Sequence, residues 1–201
     1  MNLTIPLFFS LVCLADDDFK LVKKEQSIAL YERWVEHNGE TVRELKAVFR
    51  AAPATLESFT NLLRDSEKGV AWNANAKMYK VLPGATPHSW QVYLQYEMPW
   101  PFKDLDGLLS YRLRKDPGNS GLTEIVFQSA ESSNYPVPTG FNRITGTEGK
   151  WIIREQEAGL EITYLIKTDR SNHVPRWITD PIVHENLFKT MHQFKSLLED
   201  R

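Results

Sequence analysis

Cysteine is nearly absent from this sequence: the 201 residues include one, Cys13. A disulfide within the chain is therefore impossible, and so is a cysteine-built metal cage. If the segment carrying Cys13 is removed, no cysteine nucleophile or ligand remains. An excess of basic charge is missing as well. The chain has 24 Lys and Arg against 26 Asp and Glu, a net charge of −2 and a pI near 6.2. That balance disfavours nucleic acid as a partner and a polyanionic membrane surface as an anchor. No apolar run is long enough to span a bilayer. The histidines (His37, His88, His173, His184, His192) are scattered, with no HxxxH or HExxH spacing, so no metal site is expected. The GxSxG, P-loop and GxGxxG patterns are also absent. The residues thus signal no catalytic constellation and no cofactor.

What is present is an ordinary globular composition, 42% apolar and 25% charged, enough for one sizeable core. Residues Asn2 to Ala15 carry no charge, and Asp16, Asp17 and Asp18 follow at once. Such a run suits a signal-peptide core with cleavage after Ala15. The competing reading is an N-terminal core strand or helix, since no Lys or Arg precedes the run and Pro6 interrupts it. A lipid anchor through Cys13 is disfavoured because Val12 is bulkier than the small residue expected before a lipidated cysteine. The expectation is residues 1–15 as signal peptide and 16–201 as one domain, periplasmic or secreted. Without cleavage the protein would be cytoplasmic.

Most of the chain then reads as strand. Short strands are expected from Phe19, over Ser27 to Glu36 with Ile28, Leu30 and Trp34 on one side, and over Thr41 to Arg50. The turn between the last two is Asn38-Gly39, the strongest short hairpin signal. From Ala52 the period changes, and Leu56, Phe59 and Leu63 are spaced for a helix begun near Pro53. Ser66 to Ala74 reads as a loop or single turn holding Trp72. Strands return at Lys77 to Leu82, Ser89 to Glu97, Leu105 to Arg114, Leu122 to Ala130, Phe141 to Thr147, Lys150 to Glu155 and Leu160 to Lys167. Pro99 to Phe102 makes a rigid corner. Ser132 to Gly140 is a long crossing.

The last stretch, from Val174 to Glu199, is the longest helical pattern. At about 100° per residue, Val183, Leu187, Met191, Phe194, Leu197 and Leu198 share one arc, with Glu185, Lys189, His192, Gln193 and Ser196 opposite. An arc this wide must cover something large. Thr179-Asp180-Pro181 looks like a second start signal and marks a kink or hinge. Strands joined by short hairpins with segregated helices give an α+β fold: an antiparallel sheet covered on one face by the final helix. Whether the two enclose a solid core or a cavity is open at this point.

Several segments, taken in order, resemble a known family. They are Asp65 to Trp72 (DSEKGVAW), Tyr96 to Asp106 (YEMPWPFKDLD), Phe141 to Trp151 (FNRITGTEGKW) and His173 to Ile178 (HVPRWI). Together they are similar to the START domain, a StAR-related lipid-transfer family of the helix-grip superfamily, and most of all to a secreted bacterial subgroup. The resemblance runs from Phe19 to Leu198. Leu105 departs from it where the family has Arg, while Asp106 keeps the family's Asp, and Ser171-Asn172 replaces a Gly-Gly pair. The resemblance implies a curved antiparallel sheet wrapped around a long C-terminal helix, with an apolar tunnel that binds, and transfers, one lipid or other hydrophobic small molecule without chemistry.

It also implies that Asp106 and Arg143 form a polar end inside the tunnel. Read without the family, the two are a solvated surface pair or an internal ion pair. Tyr93 and Tyr164 could add hydroxyls, and Val183, Leu187, Met191 and Phe194 would face inward from the helix. The other aromatic residues, Trp151 among them, read as core. Ser171 to Val174 and Pro136 to Gly140 are candidate gates. Transient membrane contact is compatible with such a carrier, and a monomer is expected. The alternative is a cyclase- or aromatase-like enzyme of the same superfamily acting on an apolar substrate, with Asp106 and Arg143 as its polar groups. A filled structural domain is a third option.

Overall fold

The computed structural model describes residues 18–115, 118, 121–169 and 176–200, with nothing stated of the side chains of 176–182. The signal-peptide segment and the loop 170–175, one of the candidate gates, lie outside the described residues. Ten strands form one sheet. They are β1 (Lys20–Glu25), β2 (Ile28–His37), β3 (Glu40–Ala51), β4 (Ala76–Val81), β5 (Ser89–Tyr96), β6 (Asp104–Lys115), β7 (Leu122–Ser129), β8 (Phe141–Arg143), β9 (Glu148–Gln156) and β10 (Gly159–Lys167). Their order across the sheet is β1-β2-β3-β10-β9-β7-β6-β5-β4, antiparallel along that path, with β8 paired to β6. The helices are α1 (Leu56–Leu63), α2 (Ser66–Trp72) and α3 (Arg176–Glu199). The protein is α+β, a large curved antiparallel sheet closed by its C-terminal helix.

Local chemistry places these elements. Asn38 and Gly39 turn the β2–β3 hairpin with φ of 51° and 79°. That pair of positive values is the turn whose twist matches the strands it joins. Thr55 caps α1 through a reciprocal box with Ser58. Asp65 caps α2 by accepting from the amides of Glu67 and Lys68, both at 2.9 Å. That cap is why Ser66 to Trp72 is a helix and not the loop expected: four of the first amides of a helix need partners, and an Asp one residue ahead supplies one.

Two further expectations change. β8 is three residues long, not seven, and it pairs parallel to β6. The helix assignment of α3 runs unbroken through Asp180-Pro181, where a break was expected.

One face of the sheet carries the core. α3 lies across it with Leu187, Phe188, Met191, Phe194 and Leu198 buried, while Glu185, Lys189, His192 and Ser196 are exposed. Its C-terminal end is pinned where Glu199 accepts from the Ala52 amide at 3.1 Å, and its middle where Thr190 accepts from the Ala74 amide at 3.1 Å. The chain therefore runs along the sheet from the β2–β3 turn end to the α1–α2 end.

Candidate functional site

Burial along each strand shows that the space under α3 is solid at one end and loosens at the other. On β10, Leu160 and Ile162 are buried, but Tyr164 and Ile166 on the same face are only half-buried. On β6, Tyr111 is buried and Leu109 is not; on β5, Trp90, Val92 and Leu94 are buried and Tyr96 is not. β10 and β6 lie inside the sheet, so this partial exposure is not an edge effect. These half-buried residues lie towards the end that holds the N-terminal part of α3, while Leu113, on the same face of β6, is half-buried at the other end.

The solid end is built of rings. Phe194 of α3 meets Phe59, Trp72 and Trp151 at centroid distances of 5.0 to 5.1 Å. Leu187, Met191 and Phe194, expected to line a tunnel, are buried in the core cluster, and Val183 is half-buried against it. From the solid end a row of aromatic rings crosses the floor. Trp90 stacks on Tyr111 at 5.2 Å, Tyr111 meets Phe127 at 5.3 Å, and Phe127 stacks on Tyr164 at 5.7 Å. Tyr164 in turn meets Trp151 at 4.3 Å.

Phe127 reaches Tyr164 only because β9 carries Gly149 between them. A Cβ there would sit 2.3 Å from the Phe127 ring and 2.3 Å from the Leu165 carbonyl oxygen. Burial pushes the phenols of Tyr111 and Tyr164 well above the usual range and that of Tyr96 up to about 12. The groups that act on Tyr111 and Tyr164 electrostatically are other phenols, so the floor is an uncharged environment.

Asp106, Arg143 and Tyr93 are brought together, but on the opposite face of the sheet. Arg143 makes a forked pair with Asp106, Nε to Oδ1 at 2.8 Å and Nη2 to Oδ2 at 2.7 Å, and Nη2 also reaches the Tyr135 carbonyl oxygen at 2.9 Å. The Tyr93 hydroxyl donates to Asp106 at 3.1 Å and accepts from Gln95 at 3.0 Å. Tyr93 and Leu108 pack with Leu82, Ala130 and Tyr135 in a separate small cluster under the crossing. The hydrogen bond it donates to Asp106 holds the Arg143 guanidinium further above its ordinary range, and burial raises the Tyr93 phenol.

The expectation that this pair lies beneath the helix is corrected. The reason is the two-residue period of a strand. Tyr93 alternates with Val92 and Leu94, and Asp106 with Leu105 and Gly107, so both point away from the core face. The alternation of Ser89 to Glu97 already separates Tyr93 from Trp90, Val92 and Leu94, and is the signal that could have placed it.

Beside this pair, where β6 exchanges β7 for β8, an open groove of about 740 Å³ is lined by Ser129, Glu131, Tyr135, Val137, Arg143 and Ile144 among others. The same end of the sheet gathers several loops. His37 hydrogen-bonds the Gly146 carbonyl oxygen at 2.9 Å, and Asn38 donates to Asp169 at 3.0 Å. Trp100 projects from the β5–β6 loop with 92% of its surface exposed, and Trp34, Met78 and Val137 are exposed large apolar side chains at this end. Trp34, on the same side of β2 as Ile28 and Leu30, lies beneath the Arg43 guanidinium, 5.1 Å from its ring.

A charged cluster that the sequence did not signal sits at the rim under α3. Glu32 accepts from His184 at 2.9 Å and pairs with Arg43 at 3.1 Å. Three residues this far apart in the chain carry no joint spacing to read.

Solved structures match this architecture over nearly all of the chain. A STAR-related lipid transfer protein fragment from Xanthomonas axonopodis aligns with a TM-score of 0.80 and 24% identity, covering 92% of this chain and 100% of that one. Human STARD10 aligns at 0.74 and 18% identity, covering 92% and 75%. The Zhui aromatase/cyclase from Streptomyces sp. R1128 aligns at 0.51 and 13% identity, covering 79% and 94%. No protein-family model matches the sequence, and a search of curated proteins returns no match.

Proposed function

From the START-like helix-grip fold that the chain adopts, we propose that the protein binds one lipid or other hydrophobic small molecule between sheet and helix, and hands it on without chemical change. The observation that carries this reading is the half-burial of Leu109, Tyr164, Ile166 and Tyr96, gathered at one end of the core face. A pocket of apolar walls with a few polar groups is what ligand sites are made of. The similarity to lipid-transfer proteins supports the same class of cargo.

Leu109→Trp tests this. In a solid core the added volume would cost about 1–3 kcal/mol. In a hollow region it is expected to leave the melting temperature nearly unchanged and to abolish the apolar molecule seen by native mass spectrometry of protein from its own host. A cargo-free wild type that also takes up nothing from vesicles would sink the carrier reading.

A cyclase-like reaction is the less favoured reading, although an aromatase/cyclase shares the fold. The phenols on the floor are held protonated, and among the described residues no acid, base or nucleophile is seen acting on Tyr111 or Tyr164. Loading and release at a bilayer fit the exposed end. An aromatic ring held out between Pro99 and Pro101 is suited to the membrane interface. Trp100→Ser is expected to slow exchange with phosphatidylcholine vesicles several-fold while leaving bound cargo and melting temperature unchanged. An unchanged exchange rate would remove Trp100 from this role.

A further inference from the structure

The aromatic floor leaves hydrogen-bonding capacity unused. Tyr79 donates its hydroxyl to the Leu63 carbonyl oxygen at 2.6 Å, and Tyr96 donates to Asn73 at 3.3 Å. Among the described residues, the hydroxyls of Tyr111 and Tyr164 have no such partner. Tyr111 is nevertheless only 5% exposed. The Trp90 indole nitrogen, on the ring stacked against Tyr111, is closed off from solvent without an acceptor, whereas the two hydroxyls are not closed off. Donors without protein partners gathered in one place mark a site for something that brings acceptors. An indole N–H can only donate, and a phenol placed beside it can do the same.

The two phenols flank one ring. Phe127 lies between their rings, held there by the missing side chain at Gly149. Among the described residues, the charges near this row are engaged elsewhere: the Arg64 guanidinium, 5.4 Å from the Trp90 ring, donates to the Thr86 carbonyl oxygen at 2.8 Å, and the rim charges satisfy one another. Glu32 is paired with both Arg43 and His184. Arg43 is four residues along β3 from Ala47, the register partner of Tyr164. At the strand rise that is about 13 Å. The other ionic pair of this end, Asp106 with Arg143, is on the far side of the sheet.

We propose that Tyr111 and Tyr164 are a neutral hydrogen-bonding site that holds an acceptor oxygen of the cargo, a hydroxyl, ester or ketone, and that the cargo is therefore an uncharged lipid. This deepens the carrier reading and rests on it. A phosphate or carboxylate drawn onto this floor would leave water without meeting an unengaged cation among the described residues. An uncharged oxygen loses little water and gains a donor.

The test uses two lipids with the same acyl chains, one ending in an uncharged hydroxyl and the other in a phosphate. Purified protein is incubated with phosphatidylcholine vesicles containing equal amounts of dioleoylglycerol and dioleoylphosphatidate, re-isolated, and its bound lipid identified by mass spectrometry. Dioleoylglycerol is expected to exceed phosphatidate by at least about tenfold, the ratio that 1.4 kcal/mol gives. The double variant Tyr111→Phe/Tyr164→Phe is expected to load dioleoylglycerol about tenfold less, since each hydrogen bond contributes about 0.5–1.5 kcal/mol. Its cargo-free form is expected to melt at or above the temperature of the cargo-free wild type, because the lost hydroxyls had no partner to lose. Equal loading of phosphatidate would overturn the proposal. So would full loading of dioleoylglycerol by the double variant, or a fall in its melting temperature that marks the hydroxyls as structural. Loading of neither lipid would overturn the carrier reading itself.

Discussion

Phe194→Ala is expected to destabilise the protein by about 3–5 kcal/mol and, for a domain of this size, to lower its melting temperature by roughly 10 °C. Phe194 is fully buried and its ring touches those of Phe59, Trp72 and Trp151, which come from α1, α2 and β9. Removing it takes away the ring through which α3 holds both small helices to the sheet. The neighbours cannot collapse into the void, because large rigid rings have few rotamers to exchange. Phe194→Leu keeps most of the volume and is expected to cost clearly less. Thermal melts of both variants check this. A loss below about 1 kcal/mol for Phe194→Ala would mean that the end of α3 near Glu199 is not the anchor of the fold.

The second large effect belongs to the pair on the other face. Arg143→Met is expected to cost about 3–5 kcal/mol, the usual range for leaving a buried charge alone. Asp106 is 0% exposed and would keep only the Tyr93 hydroxyl as partner. Asp106→Leu is expected to cost less, since the Arg143 side chain retains 16% exposure and the Tyr135 carbonyl oxygen. In the double variant the uncompensated charge is gone, and most of the loss is expected to be recovered. Denaturant melts of the two single variants and the double close the cycle. A double variant as unstable as the sum of the singles would show that the two side chains do not act as a pair.

The same geometry changes what this pair is for. It fastens the crossing at Tyr135, and the parallel strand β8, to the outer face of β5 and β6. It also forms one wall of the open groove. Loosening it should be felt at that rim rather than on the aromatic floor.

Much of this was legible from residue types alone. Alternation along Ser89 to Glu97 gave its strand, and Asn38-Gly39 gave the hairpin, because each rests on a local rule. The wide arc of Leu187, Met191, Phe194 and Leu198 gave the covering helix. Asp65 held the signal for α2, but a short helix with Gly69 inside it has a weak period and was read as a loop. The resemblance pointed to the right architecture, yet it put Asp106 and Arg143 on the wrong face of the sheet.

The sequence by itself determined which segments are strand and helix, that one face of the sheet is apolar, and that a long helix must cover it. These follow from periods of two and 3.6 residues, which each segment carries within itself. Only the tertiary structure decided how that covered space is filled. The rings of Phe59, Trp72, Trp151 and Phe194 close one end, while Leu109, Tyr164 and Ile166 stay partly open at the other. It also decided that Tyr111 and Tyr164 share one aromatic row and that Glu32, Arg43 and His184 meet at the rim. Such arrangements depend on side chains from strands distant in the chain reaching the same place, and no local period records that.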